Sequence, residues 1–306
     1  MTQISMMTRR NVLLGAAGWL GLAACSGDGA DSPESPGTLR ISAIPDQDPE
    51  LLNRLYPAVA DRFAQATGQD VEYRPVTDYA AVVRAFQRGD IHLAWMGGLT
   101  GVQARELVPQ ARAIAQRDID ADFRSLFIAN KSAGLEPFED LSGLQGLAGL
   151  TLTFGSETST SGRLMPQYFM QEAGVSEEDL RGSPGFSGSH DATIEAVASG
   201  SFDVGAVNEQ VFTSAMEEGT VDLSQVDVVW RSPGYADYHW LIRPDVDDIF
   251  GEGTSQEVID LLLGLDVEKP DDAEILDLFG AESFIAAENS SYDRLKEIAR
   301  AQGLLE

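Results

Sequence analysis

The sequence predicts an α/β fold in two lobes, each a mainly parallel sheet flanked by helices. Three observations carry the prediction. Short β-branched runs alternate with amphipathic stretches, the pattern that pairs strands side by side through crossover helices. After a polar N-terminal region, about 270 residues of globular composition remain, enough for two lobes of ordinary size. A repeat appears when Gly89 is aligned with Gly200: Ala81 falls on Ala192, Ala85 on Ala196, Ala94 on Gly205, and Tyr79 opposite His190. Each copy reads as a helix, a glycine stop and a buried strand, the crossover half of a βαβ unit. Two unrelated units of this kind would also look alike.

At the N-terminus, Thr8-Arg9-Arg10-Asn11-Val12-Leu13 precedes a short apolar run ending in Leu22-Ala23-Ala24-Cys25-Ser26. The twin arginines resemble a Tat export signal, and Leu-Ala-Ala-Cys resembles the lipobox at which a lipoprotein precursor is cleaved and acylated. The apolar run is shorter than the roughly 20 residues a membrane span needs. Residues 1–24 therefore read as a removable signal and Cys25, the only cysteine, as the point of lipid attachment. One cysteine allows neither a disulfide framework nor a cysteine-based metal cluster. Residues 25–37, rich in Asp, Gly, Ser and Pro, read as a disordered tether.

The first lobe opens with a strand at Leu39 to Ile44 and a helix from Pro49 to Ala66. Next come a strand at Val71 to Val76, a helix from Tyr79 to Arg88 and a strand at Ile91 to Met96. Strands near Ala111 to Gln116 and Phe123 to Ala129 lead across to the second lobe. There we read a strand at Leu150 to Phe154, helices after Ser161 and after His190, and a strand at Phe202 to Val207. Val228 to Arg231 and His239 to Arg243 return to the first lobe, and Ser255 to Gly303 is mostly helical. The first lobe is thus 38–125 plus 226–306, and the second 126–225.

The chain carries a formal charge of −28, and losing residues 1–24 removes Arg9 and Arg10 and takes it to −30. No basic stripe exists for nucleic acid. Lys131, Lys269 and Lys296 are the only lysines, a composition suited to high salt, where screening shortens self-repulsion to a few ångströms. An anion receptor of this charge must build its attraction locally, and helix N-termini do so without lysine.

The most informative segment runs Phe154-Gly155-Ser156-Glu157-Thr158-Ser159-Thr160-Ser161-Gly162, from an apolar strand into a helix through Leu164, Tyr168 and Phe169. Small hydroxyl residues there can serve as an ordinary N-cap; four in succession can also form a concave donor array for an oxyanion. Without a Gly-Lys-Ser/Thr ending this is no nucleotide loop, and no His/Asp/Glu spacing resembles a metal site, so no cofactor is expected. Of the three histidines, His92 reads as solvated and His239, beside Trp240, as a core residue. His190, at a helix start, is the candidate donor to an anion.

Here a resemblance becomes specific. Phe154 to Tyr168 resembles the strand, Ser-Thr-Ser-Gly turn and helix of the phosphonate/phosphite-type ABC solute-binding proteins. Gly188-Ser189-His190-Asp191-Ala192, followed by Gly200-Ser201-Phe202-Asp203-Val204-Gly205, resembles that family's second-lobe helix and strand. Val76-Thr77-Asp78-Tyr79-Ala80 with Ala94-Trp95-Met96-Gly97-Gly98 resembles its first-lobe counterpart. Leu164-Met165-Pro166 and Tyr235-Ala236-Asp237-Tyr238 are similar to members labelled as selenate-binding. The likeness spans about Leu39 to Leu305.

The resemblance implies a two-lobed type II periplasmic-binding fold that closes on a small tetrahedral oxyanion by a hinge. It implies no catalysis and partnership with an ABC permease and ATPase; together with the lipobox at Cys25, the expectation is a lipid-anchored monomer on the outer face of the cytoplasmic membrane. By matching position, Ser159, Thr160 and Ser161 would donate to the anion, His190 would add a hydrogen bond or positive charge, and Tyr79 would reach in from the first lobe. Gly97 and Gly98 would let backbone approach, Trp95 would form an apolar wall, and Asp237 and Tyr238 would complete the pocket. Two departures stand out: His92 where the repeat has Asp203, and Trp95 in place of a smaller tyrosine, which argues against large aminoalkylphosphonates.

Asp237 offers a mechanistic handle. A carboxylate facing an oxyanion repels it unless a proton lies between them, so the site would prefer phosphite, phosphate or a small phosphonate over sulfate or selenate. A role in solvating the hinge loop is the other reading. A selenate binder, an anion-sensing subunit and an enzyme on the same fold remain alternatives.

Overall fold

The computed structural model describes residues 37–222 and 224–305. The export segment, Cys25 and all but the last residue of the tether lie outside the described residues. The first lobe begins with β1 (Leu39–Ala43), α1 (Pro49–Thr67), β2 (Val71–Tyr73), α2 (Tyr79–Arg88), β3 (Leu93–Met96), α3 (Gly98–Leu107) and β4 (Arg112–Arg117). The second holds β5 (Ser125–Asn130), β6 (Leu152–Phe154), α4 (Met165–Glu172), β7 (Gly185–Phe186), α5 (His190–Ala198), β8 (Val204–Asn208), α6 (Glu209–Glu217) and β9 (Val226–Arg231). The chain returns through β10 (His239–Ile242), α7 (Val246–Phe250), α8 (Thr254–Leu263), α9 (Pro270–Phe279), β11 (Phe284–Ala286) and α10 (Asp293–Ala301).

The first sheet has the order β11-β4-β10-β3-β1-β2 and the second β7-β6-β8-β5-β9. Both are mixed where mainly parallel sheets were expected. The βαβ units pair in parallel, β1 with β2 and β3, and β6 with β7 and β8. β10 and β5 run antiparallel to their neighbours. The reason is the hinge: a strand arriving from the other lobe enters at the edge where the parallel strands end, so it must run the opposite way. Accordingly His239 lies opposite Met96, and Ser125 opposite Asn208.

Val228 to Arg231 does not return to the first sheet. β9 pairs with β5 from Leu126↔Arg231 to Asn130↔Val226, so the second crossing follows Arg231. A β-branched strand carries no mark of which sheet it joins. Three helices, α3, α6 and the short α7, lie outside the segments that read as helical; the paired glycines at the start of α3 hide its periodicity.

The repeat has a physical counterpart. α2 begins at Tyr79 behind the N-cap of Asp78, and α5 begins at His190 behind Ser189, each cap accepting an amide of the first turn. Gly89 (φ 78°) and Gly200 (φ 73°) adopt the left-handed conformation that ends each helix. The His92 and Asp203 positions serve one purpose. Asp203 accepts the Thr151 N–H at 2.7 Å before β6, and His92 Nδ1 accepts the Arg40 N–H at 2.9 Å in β1. His92 is therefore buried, packed against Phe250 and neutral, its pKa lowered to about 4 by burial and then by Arg40, in contrast to the expected solvated residue.

Trp95, Trp240, Tyr56, Phe279 and Phe284 form the aromatic heart of the first lobe, with ring centroids 5.1 to 6.5 Å apart. Leu126, Ile128, Ile194, Val207 and Phe212 pack between the second sheet and α5 and α6. His239 stacks on Tyr292 at 4.1 Å, buried as expected.

Candidate functional site

Both sheets direct strand ends and helix starts at the seam between the lobes, the place where open α/β sheets bind ligands. Tyr79 and His190 are the first residues of α2 and α5, and both are buried there. The hydroxyl-rich segment folds as a π-helical turn, Thr160–Leu164, running into α4. Such turns are uncommon and concentrate at functional positions. Its N-cap is Ser159, whose Oγ accepts the Gly162 N–H at 2.9 Å. Capping thus uses one hydroxyl and leaves the next two free for other work. Thr160 Oγ1 accepts the Leu99 N–H at 3.0 Å from α3 of the first lobe, and Ser161 Oγ is buried with no protein partner.

Glycine permits the close packing. A Cβ on Gly162 would stand 2.9 Å from Ser159 Oγ and 3.1 Å from the His190 ring. One on Gly97 would stand 3.2 Å from Thr160 Oγ1 and 3.3 Å from Asp237 Oδ1. At Gly98 it would strike Leu295 at 2.3 Å. The two glycines thus let backbone into the cluster.

Asp237 is fully buried. Its N–H donates to Asp120 O at 3.0 Å, its Oδ1 accepts the Gly98 N–H at 2.9 Å, and its Oδ2 has no protein partner. Burial pushes its pKa up to about 7. Next to it, the Tyr238 ring stacks on Trp95 at 5.7 Å, so Trp95 forms the wall behind Tyr238. Tyr238 Oη accepts from Asn208 Nδ2 at 3.0 Å and lies 3.5 Å from His190 Nε2. The Asn208 N–H donates to His190 Nδ1 at 3.3 Å, which puts the ring's hydrogen on Nε2. Burial lowers the His190 pKa to about 3, which keeps the ring neutral with its hydrogen on Nε2. Tyr79 Oη approaches Ser159 but is likewise buried with no hydrogen bond.

The ten residues singled out from the sequence, Tyr79, Trp95, Gly97, Gly98, Ser159, Thr160, Ser161, His190, Asp237 and Tyr238, therefore lie in one enclosed cluster drawn from both lobes. Two open grooves also lie along the seam, outside this cluster: one beside α6 and another beside the start of α5.

Three residues of the cluster gave no signal in the sequence. Asp46, just past β1, is 4% exposed; burial raises its pKa to about 6, and its carbonyl accepts the His190 N–H at 3.1 Å across the lobes. Asn208 joins Tyr238 to His190. Arg117 is buried behind the wall, its guanidinium 4.9 Å from the Tyr238 ring centroid and 5.5 Å from that of Trp95. Asp120 holds both faces of its fork at 2.7 Å and keeps it charged. Among the described residues, no group of three His, Cys, Asp or Glu could hold a metal ion, and no helix is long and apolar enough to cross a membrane.

A family profile described as the ABC transporter, phosphonate, periplasmic substrate-binding protein matches residues 41–292. The chain is 43% identical over 267 residues, 87% of its length and 90% of the relative's, to a probable ABC transporter phosphite binding protein, PhnD1, of Prochlorococcus marinus. It superposes on the solved structure of that PhnD1 in complex with methylphosphonate with a TM-score of 0.86 at 42% identity, covering 88% of this chain and 99% of the other. It is also 30% identical over 234 residues, 71% of each chain, to a phosphate-import protein, PhnD, of Mycolicibacterium smegmatis.

Proposed function

Because the chain belongs to the phosphonate family of ABC-transporter periplasmic substrate-binding proteins, we propose that its inter-lobe cluster captures one small tetrahedral phosphorus oxyanion: phosphite, phosphate or a small phosphonate such as methylphosphonate. The family is one of solute carriers, and no chemistry is done on the ligand. One observation carries the proposal: Tyr79 Oη, Ser161 Oγ and Asp237 Oδ2, from three different segments, are buried at the same seam without protein partners. Other buried side-chain atoms without partners, such as His239 Nε2 and Trp240 Nε1, are scattered through the fold, whereas these three converge; such orphans cost about 1–3 kcal/mol each unless a ligand satisfies them. An oxyanion would satisfy all three.

The roles follow from the geometry. Tyr79 and Ser161 donate hydroxyl hydrogens, with Ser159 and Thr160 presenting the π-turn's amides. His190 donates through Nε2–H. Gly97 and Gly98 bring the start of α3 close, and the Tyr238 ring on Trp95 closes the apolar side. Attraction comes from neutral donors and helix starts, since the guanidinium of Arg117 is spent on Asp120. Asp237, with its pKa raised to about 7, is partly ionised near neutral pH, and in that form it accepts the proton that one anion oxygen keeps, which favours protonated phosphorus oxyanions over sulfate and selenate, which carry none. The anion bridges both lobes, so it stabilises the closed form by its differential affinity, and the permease can tell loaded from empty protein.

PhnD1 of Prochlorococcus marinus, named for phosphite and solved with methylphosphonate, supports this ligand class. The twin-arginine and lipobox motifs support export and anchoring through an acylated Cys25, with a monomer working beside a permease and ATPase. A thermal-shift and calorimetry panel of phosphite, methylphosphonate, phosphate, sulfate, selenate and selenite at high salt tests the reading. A phosphorus ligand at a hundred times its Kd should add about 2.7 kcal/mol of stability, and Thr160→Ala combined with His190→Ala should erase that shift. Tight selenate or sulfate binding with no phosphorus ligand would overturn the preference.

A further inference from the structure

The Arg117 guanidinium does more than back the aromatic wall. One Nη donates to Phe279 O at 2.7 Å, at the end of α9, and to Gln210 Oε1 at 2.6 Å, on α6. α9 belongs to the first lobe, where Phe279 packs against Trp95 and Trp240. α6 follows β8 of the second sheet. Arg117 itself ends β4, at the first crossing, and its remaining donors are fixed on Asp120. A single buried cation therefore ties the hinge to both lobes. Gln210 reaches across the seam in close contact with Gly280. A Cβ there would stand 2.1 Å from Gln210 Nε2, and at φ 60° only glycine sits without strain. Gln210 and Gly280 both face the open groove beside α6, well outside the enclosed cluster.

We propose that Arg117, Gln210 and Gly280 form a closure latch: a set of positioning residues that stabilises the closed lobes directly and tunes affinity without touching the ligand. This rests on the reading that the ligand is held between the lobes. The physics is a population shift. The ligand enters between open lobes that then close over it, so apparent affinity scales with the closed-to-open ratio, and the Gln210 bond joins lobes that opening separates. Because the same Nη keeps Phe279 O as an acceptor, losing the Gln210 bond is worth one net hydrogen bond, about a fivefold to tenfold change in that ratio.

The test reads the closed fraction of the purified protein by single-molecule energy transfer between labels at Gln87 on α2 and Glu172 on α4, both exposed. Gln210→Ala should lower the ligand-free closed fraction about fivefold to tenfold and speed methylphosphonate dissociation by a similar factor, leaving association unchanged. Gln210→Glu, which keeps an oxygen before the guanidinium, should restore both. An unchanged closed fraction and off-rate, or a Gln210→Glu variant as loose as Gln210→Ala, would overturn the latch. If the wild-type protein bound no phosphorus oxyanion, the reading of the site would fail. The ligand-free closed fraction would still decide the latch.

Discussion

Asp237→Asn separates the carboxyl's charge from its shape. Asparagine keeps an oxygen for the Gly98 N–H, now at 2.9 Å from Oδ1, and places an NH2 group where Oδ2 has no partner. The folded protein holds the Asp237 proton up to about pH 7, whereas an unfolded carboxyl loses it near 3.8. The folded state therefore binds more protons in this window. Stability from this group is complete below pH 3.8, falls as pH rises towards 7, and levels off above. The full span corresponds to about 4 kcal/mol. That is an upper bound, because opening the lobes rehydrates the carboxylate before the fold is lost. Asp46, raised to about 6, acts in the same direction but is common to both proteins and cancels in the difference. Unfolding measured from pH 5 to 8.5 should show Asp237→Asn gaining on the wild type as pH rises, by up to about 3 kcal/mol across that range. Its NH2 group donates without a proton from the ligand, so calorimetry should show sulfate and selenate gaining affinity relative to phosphite. A wild-type-to-variant difference that stays flat with pH, together with continued exclusion of sulfate, would refute the reasoning.

Substitutions at two further positions probe the frame around the site. His92→Ala should cost about 2 kcal/mol in chemical denaturation by leaving the Arg40 N–H unpaired, while His92→Asp, which copies Asp203, should be tolerated. Since burial lowers the His92 pKa to about 4 from 6.5, its contribution is complete above pH 6.5 and is lost as pH falls towards 4; His92→Asp should remove that loss. Gly101→Ala would set a Cβ 2.2 Å from the His239 ring, pinned between α3 and Tyr292, and should destabilise the protein by about 1–3 kcal/mol in the same assay.

What was legible in the sequence was what local chemistry writes there. Asp78 before Tyr79 and Ser189 before His190 are N-cap signals, and Gly89 and Gly200 are stop signals, so the two helix starts that meet at the seam were legible near Tyr79 and His190. The Ser-Thr-Ser-Gly turn was legible as a donor array, though the division of labour was not: only the fold shows Ser159 capping, Thr160 crossing to Leu99, and Ser161 left over. Arg117 and Asp46 gave no signal because burial of a charge leaves no periodic trace. An arginine at the end of a strand ordinarily reaches solvent, and here it is enclosed by Trp95, Phe123 and Tyr238, which come from different segments. The sheet assignment of β9 failed for a related reason, since Val226 to Arg231 would suit either sheet and only pairing with β5 decides it.

The electrostatics then resolve an apparent contradiction. A chain of net charge −28 should repel anions, and the enclosed cluster adds two carboxyls, Asp46 and Asp237. Yet burial that would make a bare carboxylate costly also raises both pKa values towards neutrality, so near pH 6 the site carries far less negative charge than its composition suggests. The same burial keeps His190 neutral and strengthens every oriented amide and hydroxyl dipole around it. Surface charge, by contrast, is screened within about 8 Å at physiological salt and less far in brine. Enclosure is therefore the condition that lets weak neutral donors outcompete the field of the whole molecule, and closure of the lobes is what creates it.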